Sequence, residues 1–270
     1  MASSPTLVIG TRGSPLALAQ AHETQDRLIA AHGWSVEHLP LSIIKTTGDA
    51  IQDRPLSEAG GKGLFTKELD IALLDGSIDL AVHSAKALPT ALPEGIAIAG
   101  FLPREDVRDA FISHRFKCLA DLPEGAVVGS ASVRRQAQVR RLGLTDHVTT
   151  ILETDDFLPA VGQGAIAIAI RAEDARVREA LAPILDGPTG QALAAERSFL
   201  TVLDGSCRTP IAGHARLVGG ELEIRGLVLR PDGSESLEVV RRGAPENAAA
   251  LGREAGSDLR ARMPRDFLKA

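Results

Sequence analysis

Aromatic residues are scarce in this sequence. The 270-residue chain has no tyrosine, one tryptophan and seven phenylalanines, and its formal net charge is −5. A nucleic-acid-binding protein usually needs a basic face and often aromatic rings on which bases stack. We therefore expect no nucleic-acid partner, and any anion-binding site must come from local clusters of arginine and lysine.

Cysteine and long apolar runs are also scarce. Cys118 and Cys207 are far apart and form no CxxC pair, so we expect reduced thiols in a cytoplasmic protein without a zinc site or redox motif. The seven histidines show no metal-ligand spacing, and no metal is predicted. No run reaches transmembrane length and the N-terminus does not resemble a signal peptide, so we expect no membrane partner.

Strand and helix patterns alternate along the first part of the chain, which indicates parallel sheets and an α/β protein. Ser14 is suited to cap the first helix, Pro15 to begin it and Gly33 to follow its end, and Gly76 is the predicted cap that ends the second helix. Strand patterns lie at residues 6–11, 41–47, 78–84 and 125–130, and helix patterns at 15–32, 63–77 and 131–143.

The pattern changes after Pro159. Residues 160–174 alternate like a strand. Residues 162–167 also fit the glycine spacing of a dinucleotide-binding turn, but they lead into a strand pattern rather than a helix, so we predict no dinucleotide site. A helix pattern at 189–203 precedes strand patterns within 213–243 that Gly-Gly and Pro-Asp-Gly-Ser separate, as in an antiparallel meander. With a closing helix at 245–263, we expect a final α+β domain that begins near residue 183.

Three turns after predicted strands combine a cation with a hydroxyl side chain. A cation at a helix N-terminus opposes the helix dipole, but it is favourable when dipole, free N–H groups and cation hold an anion together. Solvated surface charge explains any one such turn about as well, and three in one chain favour an anion site. The turns carry Arg12 with Ser14, Ser84 with Lys86, and Ser132 with Arg134 and Arg135.

Three further side chains, an imidazole and two thiols, have groups that can take part in chemistry. His83 ends an apolar strand pattern, and we interpret it as a buried, hydrogen-bonded imidazole rather than a metal ligand. Cys118 has the character of a small core residue. Cys207 differs, because it lies in the loop sequence LDGSCRTPIAG with Arg208 after it, which favours an accessible thiolate. A reactive thiol beside an anion site suggests covalent attachment of an anionic ligand.

Long segments of the chain resemble, in order, the hydroxymethylbilane synthase family, also called porphobilinogen deaminase. The resemblance spans nearly the whole chain. The segments are IGTRGSPLALAQA, KTTGD, GGKGLFTKELDIALLDGSIDLAVHS, FLPREDVRDAFIS, LPEGAVVGSASVRRQAQ, FLPAVGQGA and DGSCRTPIAGHA.

The resemblance implies a transferase of tetrapyrrole biosynthesis. Such an enzyme joins four porphobilinogen units head-to-tail into hydroxymethylbilane, with release of ammonia, on a covalent dipyrromethane primer that Cys207 holds through a thioether. It also implies a monomer with porphobilinogen as its small-molecule partner. The implied cofactor-binding residues are Cys207, Ser84, Lys86, Ser132, Arg134 and Arg135, and the implied substrate-binding residues are Arg12, Ser14, Lys62 and Arg141.

The chain departs from the family pattern in two places. Ala87 follows Lys86 where the family has a catalytic aspartate, so no intact catalytic residue is assigned. Glu68 and Asp79 are carboxylates that precede it in sequence, but neither occupies a matching motif position. After Gln138 the chain also lacks a segment of roughly 30–40 residues, about one βαβ unit, that would carry two more substrate-binding arginines. Both departures predict impaired activity.

The family fold implies three domains. Two related parallel-sheet domains of the periplasmic-binding-protein type should flank a cleft, with hinges near Gly100 and Gly164, and a C-terminal α+β domain with a small antiparallel sheet should present Cys207. The expected bounds are 1–102 with 165–182, a shortened 103–164, and 183–270. Two alternatives to a working enzyme remain open: a catalytically silent homologue that binds a pyrrole or another polyanion, and a shortened variant that folds poorly.

Overall fold

The computed structural model describes residues 6–50, 64–109, 115–116, 121, 123, 153–204, 209–264 and 266–268. Its contacts divide the chain into two compact units, Met1–Glu105 with Gly164–Gly190, and Asp106–Gln163 with Gln191–Ala270. The strand and helix predicted at 125–143 lie outside the described residues. The division into three domains stays a prediction.

The first unit is built on a five-stranded sheet with strand order β2-β1-β3-β5-β4 in the described part of the chain. Its strands are β1 (Ile9–Thr11), β2 (Leu41–Ile43), β3 (Leu80–Ser84), β4 (Ile96–Phe101) and β5 (Ile166–Arg171), and its helices are α1 (Pro15–His32), α2 (Thr47–Ala50), α3 (Lys67–Leu74) and α4 (Ala175–Leu181).

The sheet is mixed, which corrects the expectation of a purely parallel one. Strand β1 is parallel to β2 and β3, whereas β5 is antiparallel to both β3 and β4. The chain leaves this unit after β4 and returns at the same edge, where the Leu102 amide donates to the Ile166 carbonyl and the Glu105 amide to the Gly164 carbonyl. Because the chain re-enters the unit beside the end of β4, the next strand, β5, runs antiparallel to β4.

The first helix begins and ends as its sequence predicts. The Ser14 hydroxyl accepts a hydrogen bond from the Ala17 amide, Pro15 is the first helical residue, and Gly33 adopts the left-handed conformation with φ of 66°. The second predicted helix is shorter than expected, because α3 covers Lys67–Leu74 and its cap is Asp75 rather than Gly76.

Strand β5 is buried on both faces, and the two faces carry different residues. Ile166, Ile168 and Ile170 lie in one cluster with Leu28 of α1 and Leu181 of α4. On the other face, Ala169 packs in a second cluster with Leu69 and Leu73 of α3. The strict alternation of isoleucine and alanine therefore lets one strand support helices on both sides of the sheet.

The second unit contains the predicted antiparallel meander. Strands β6 (Ile211–Val218), β7 (Glu221–Leu229) and β8 (Ser236–Gly243) form a three-stranded sheet in that order. Helices α5 (Gly187–Val202) and α6 (Ala248–Arg262) complete the regular structure described there. The turn between β6 and β7 uses Gly219 and Gly220, both with positive φ, as a tight hairpin requires.

Helices α5 and α6 approach closely because α6 carries glycine at their contact. A Cβ on Gly252 would lie 2.0 Å from the carbonyl oxygen of Ala195, which is backbone and cannot rotate away. Among the helices that the structure describes, none is long and apolar enough to span a membrane.

We expect Gly252→Ala to lower the free energy of unfolding by about 1–3 kcal/mol, because the two helices must separate to admit the new methyl group. Gly190→Ala is the matched control, since nothing lies within 4 Å of its new Cβ, and it should be neutral or slightly stabilising. Urea unfolding of both variants measures the difference. Equal stabilities would contradict the close packing at Gly252.

Candidate active site

The described part of the candidate site lies where two neighbouring parallel strands end. Arg12 follows β1 directly, and Ser14 begins α1. Strand β3, which pairs with β1, ends at His83 and Ser84. Carboxyl ends of parallel strands share one edge of a sheet, where open α/β folds bind ligands. The topology therefore brings two of the three predicted turns together.

Arg12 is held by a carboxylate and an aromatic ring that sequence reasoning had not paired with it. Its Nε donates to Oδ2 of Asp49 over 3.2 Å, and its Nη2 donates to Oδ1 of the same carboxylate. The guanidinium carbon lies 4.1 Å from the centre of the Phe65 ring. These contacts fix the direction of the guanidinium, since a bidentate pair and a ring face both restrict its plane.

Asp49 is stabilised as a carboxylate. The hydrogen bond from Arg12, followed by those from Thr46, lowers its pKa despite partial burial, and the Thr46 hydroxyl lies 2.8 Å from Oδ2. A charge-neutral pair thus forms at the end of β1, and Arg12 is not an uncompensated cation.

The side chain of Ser84 turns toward helix α1. Its hydroxyl donates to Oε1 of Gln20 over 2.9 Å, which ties the end of β3 to the second turn of α1. Ser84 is followed by a single 3-10 turn at Ala85–Ala87, and no α-helix begins at this turn. The chain remains extended after Ala87 because Pro89 disfavours a helical Leu88.

A cavity of about 50 Å³ lies among these side chains. Among the described residues that line it are a guanidinium, two hydroxyls, an amide and an imidazole, and none carries a carboxylate. The lining consists of Arg12, Ser14, Leu16, Ala17, Gln20, Phe65, Val82, His83, Ser84 and Ala87.

Two carboxylates that precede Ala87 in sequence, Glu68 and Asp79, are engaged elsewhere. Glu68 accepts hydrogen bonds from the amide and hydroxyl of Thr47. Asp79 accepts from the amide of Val8 and from Arg171 and Arg176. Neither lines the cavity, so neither replaces an acid at residue 87 in the described structure.

His83 is buried as expected, with 5% of its surface exposed, but one of its ring nitrogens lacks a hydrogen bond. Among the residues that the structure describes, its Nε2 has no hydrogen-bond partner. Burial first and the charge of Arg12 second lower the pKa of the imidazole to about 4, so the ring is neutral near pH 7. The prediction of a hydrogen-bonded imidazole is therefore wrong for Nε2 within the described part of the chain.

The pKa of His83 predicts a pH dependence of stability. Between pH 6.5 and about 4 the unfolded chain takes up a proton at this residue that the folded chain does not. Stability should therefore fall as the pH is lowered through this window, by up to about 1 kcal/mol per pH unit.

Urea unfolding of wild type and His83→Gln from pH 7 to pH 4 tests this dependence. The stability of the wild type relative to His83→Gln should fall as the pH is lowered. A pH-independent difference for His83→Gln would contradict the lowered pKa.

Comparison with known proteins identifies the family. The family model of the porphobilinogen deaminase dipyromethane cofactor binding domain matches residues 7–142 and 137–179, and that of the porphobilinogen deaminase C-terminal domain matches residues 191–261. Porphobilinogen deaminase of Nitrobacter hamburgensis is 52% identical over 297 residues, covering 96% of this chain and 94% of the relative. The chain belongs to the porphobilinogen deaminase family.

Two further relatives in this family agree. Porphobilinogen deaminase of Nitrobacter winogradskyi is 52% identical, and that of Paracoccus denitrificans is 48% identical over 96% of this chain and 95% of the relative. The chain thus carries the dipyrromethane cofactor-binding domain of porphobilinogen deaminase. Within the described residues, no group of histidine, cysteine, aspartate or glutamate is arranged to hold a metal ion.

The structure describes only part of the predicted porphobilinogen deaminase site. Arg12, Ser14 and Ser84 line one cavity, while Lys86 is exposed beside it. The remaining predicted residues lie outside the described part of the chain: Lys62, Ser132, Arg134, Arg135, Arg141 and Cys207.

Sequence reasoning missed three side chains of this site. Asp49, Phe65 and Gln20 contact Arg12 or Ser84, and none of them had been assigned a role. A signal existed, because each lies within a segment that resembles the porphobilinogen deaminase family. The sequence did not indicate that these segments, which are about thirty or more residues apart, contact each other. Only the packing of the strands and helices brings them together.

Proposed function

We propose that this protein is a porphobilinogen deaminase whose rate is limited by Ala87. The main support for the family activity is that both family models match the chain. In addition, the chain is 52% identical to the Nitrobacter hamburgensis relative over nearly its whole length. The reaction joins porphobilinogen units head-to-tail, and each addition releases ammonia, forms one carbon–carbon bond and loses one pyrrole proton.

The described residues fit ligands that carry carboxylates. Arg12 has donors beyond those that Asp49 occupies, and Ser14 and Ser84 offer hydroxyls to the same cavity. Lys86 supplies an exposed cation next to them. Charge-assisted hydrogen bonds from these groups would orient acetate and propionate arms of the incoming pyrrole.

Cys207 is the proposed point of cofactor attachment. When bound there through a thioether, dipyrromethane supplies the terminal pyrrole to which porphobilinogen is added. Arg134, Arg135, Ser132, Ser84 and Lys86 are proposed to hold its carboxylates, and Lys62 and Arg141 to contact substrate together with Arg12 and Ser14. These roles follow from the family pattern at matching positions.

Ala87 places no acid at the position where the family has an aspartate. A carboxylate at this position could accept hydrogen bonds from pyrrole nitrogens and offset the positive charge that develops as ammonia leaves. A methyl group does neither. Since no described residue that lines the cavity is acidic, the reaction should be slow.

A missing segment after Gln138 is also part of the proposal. The cofactor-domain model matches the chain in two stretches that overlap at residues 137–142, as expected if a part of the model has no counterpart there. The alignment with the first relative extends over 297 positions although the whole chain has 270 residues. Both facts support a deletion in the region expected to form a second, shortened domain of a monomeric, cytoplasmic, three-domain enzyme.

The intact mass of the purified protein tests cofactor attachment. Protein made where porphobilinogen is plentiful should carry the added mass of two porphobilinogen units less their ammonia, and peptide mapping should locate it on Cys207. Cys207→Ser should lack the added mass, whereas Cys118→Ser should retain it. An unmodified thiol in the wild type would contradict the proposal.

A catalytically silent pyrrole-binding homologue is the second candidate. The absence of a carboxylate among the described residues of the cavity favours it. Saturable binding of porphobilinogen without release of ammonia would support this candidate, and measurable turnover would exclude it. Failure to bind porphobilinogen at all, with a broad thermal transition, would instead indicate a poorly folded variant.

A further inference from the structure

The carboxylate of Asp49 restricts what Arg12 can do at the end of β1. Arg12 donates from Nε and Nη2 to the two oxygens of Asp49, which does not use the remaining N–H groups of the guanidinium. Arg12 lines the cavity, whereas Asp49 is not among the described residues that line it. Asp49 therefore acts on a ligand in the cavity through Arg12 and through its charge, not by direct contact.

This ion pair is accessible to a ligand, and its carboxylate is held from a second side. The side chains of Arg12 and Asp49 are 23% and 21% exposed, so a ligand can reach the guanidinium. The hydroxyl and the amide of Thr46 donate to Oδ2 of Asp49 over 2.8 and 3.3 Å. Because Thr46 holds the carboxylate independently of Arg12, Asp49 should keep its place when a ligand contacts the guanidinium.

A carboxylate fixed beside a guanidinium weakens the attraction of that guanidinium for a second anion. Repulsion between two carboxylates about 6 Å apart changes a binding constant by about threefold in water-like surroundings and by about a hundredfold at an effective dielectric constant near 20. Since both side chains are partly exposed, the effect should lie toward the lower end of this range. The bidentate contact meanwhile fixes the direction of the Arg12 side chain.

We propose that Asp49 is a positioning residue that fixes the direction of Arg12 and limits the affinity of Arg12 for the carboxylates of porphobilinogen. The inference rests on the proposed function, in which each added unit must leave the substrate position before the next one binds. Tighter binding of substrate alone does not speed the chemical step, and it would delay this departure. A guanidinium that is already paired combines a fixed direction with a ligand that can leave.

Calorimetric titration of wild type and Asp49→Asn with porphobilinogen at low ionic strength tests the proposal. Asparagine keeps a carbonyl oxygen that can accept from Arg12 but removes the negative charge. The dissociation constant of Asp49→Asn should be lower than that of the wild type by about three- to tenfold, and added sodium chloride should reduce the difference by screening. Asp26→Asn removes the same charge from an exposed position of α1 and should leave binding unchanged.

Thr46→Val distinguishes the loss of charge from a loosened guanidinium. This variant removes the hydroxyl that holds Oδ2 of Asp49 but leaves the carboxylate charged, so it should bind porphobilinogen no more tightly than the wild type does. In assays of ammonia release, Asp49→Asn should lower KM without raising kcat, because the charge acts on bound substrate and not on the chemical step. A purely structural role of Asp49 would not lower KM.

Two results would overturn this inference and leave the proposed function in place: equal or weaker binding of porphobilinogen by Asp49→Asn, or equally tightened binding by Thr46→Val. Binding without release of ammonia would indicate the silent homologue, and the same comparison of dissociation constants would still decide the role of Asp49. If the wild type neither binds porphobilinogen nor releases ammonia from it, the proposed function is wrong, and this inference is overturned with it.

Discussion

Replacing Ala87 with aspartate is expected to raise the rate of porphobilinogen consumption by about 10²–10⁴-fold, the range that a well-placed general acid or base supplies. The structural reason is the cavity at this residue, which holds a cation, hydroxyls and a neutral imidazole but no acid among its described residues. The new carboxylate would lie where charge develops as ammonia leaves. Ammonia release and porphobilinogen loss, measured on cofactor-loaded protein, give the rate.

Two variants control for the effect of charge and size at this position. Ala87→Asn has nearly the shape of aspartate but cannot carry the charge, so it should recover little of the rate. Ala30→Asp adds the same charge on an exposed turn of α1 and should leave the rate unchanged. Equal rates for Ala87→Asp and wild type would show that Ala87 does not limit the reaction. The segment proposed to be missing after Gln138 would then be the remaining explanation for a low rate.

Substituting Glu196 is expected to have the largest effect on stability. Glu196 lies on α5 and is fully buried, and its two carboxylate oxygens accept hydrogen bonds of 2.8 Å from the amides of Gly162 and Ala215. Glu196→Ala would leave both amides buried without these acceptors and would also create a cavity. We expect a loss of about 3–5 kcal/mol in the free energy of unfolding.

Urea unfolding followed by far-ultraviolet circular dichroism measures this loss. Glu196→Gln keeps one carbonyl acceptor and should be less destabilised than the alanine variant. Glu254→Ala removes an exposed glutamate from α6 and should change stability by no more than about 0.5 kcal/mol. If Glu196→Ala were as stable as Glu254→Ala, the two amide contacts could not contribute as the structure indicates.

Local signals in the sequence predicted local structure well. Ser14, Pro15 and Gly33 mark the ends of α1 because capping depends on residues within one turn of each other. The glycines at 219 and 220 likewise mark the hairpin of the meander. The end of α3 was misplaced by one residue, since Asp75 and Gly76 can both follow a helix and the sequence does not decide between them.

The direction of β5 could not be predicted in the same way. Its alternation of isoleucine and alanine suits a buried strand of either orientation. Orientation depends on where the chain re-enters the first unit, and the contacts of Leu102 and Glu105 with residues 164–166 decide it. These partners are about sixty residues apart, so no local pattern records them.

The sequence by itself determined the family, the α/β and antiparallel elements, and the presence of alanine at residue 87, because long motifs and residue identities need no coordinates. Only the tertiary structure decided that Asp49 neutralises Arg12, that Gln20 holds Ser84, and that His83 is buried with an unpartnered Nε2. Burial and hydrogen bonding depend on side chains brought together from distant segments, and their pKa values follow from that packing.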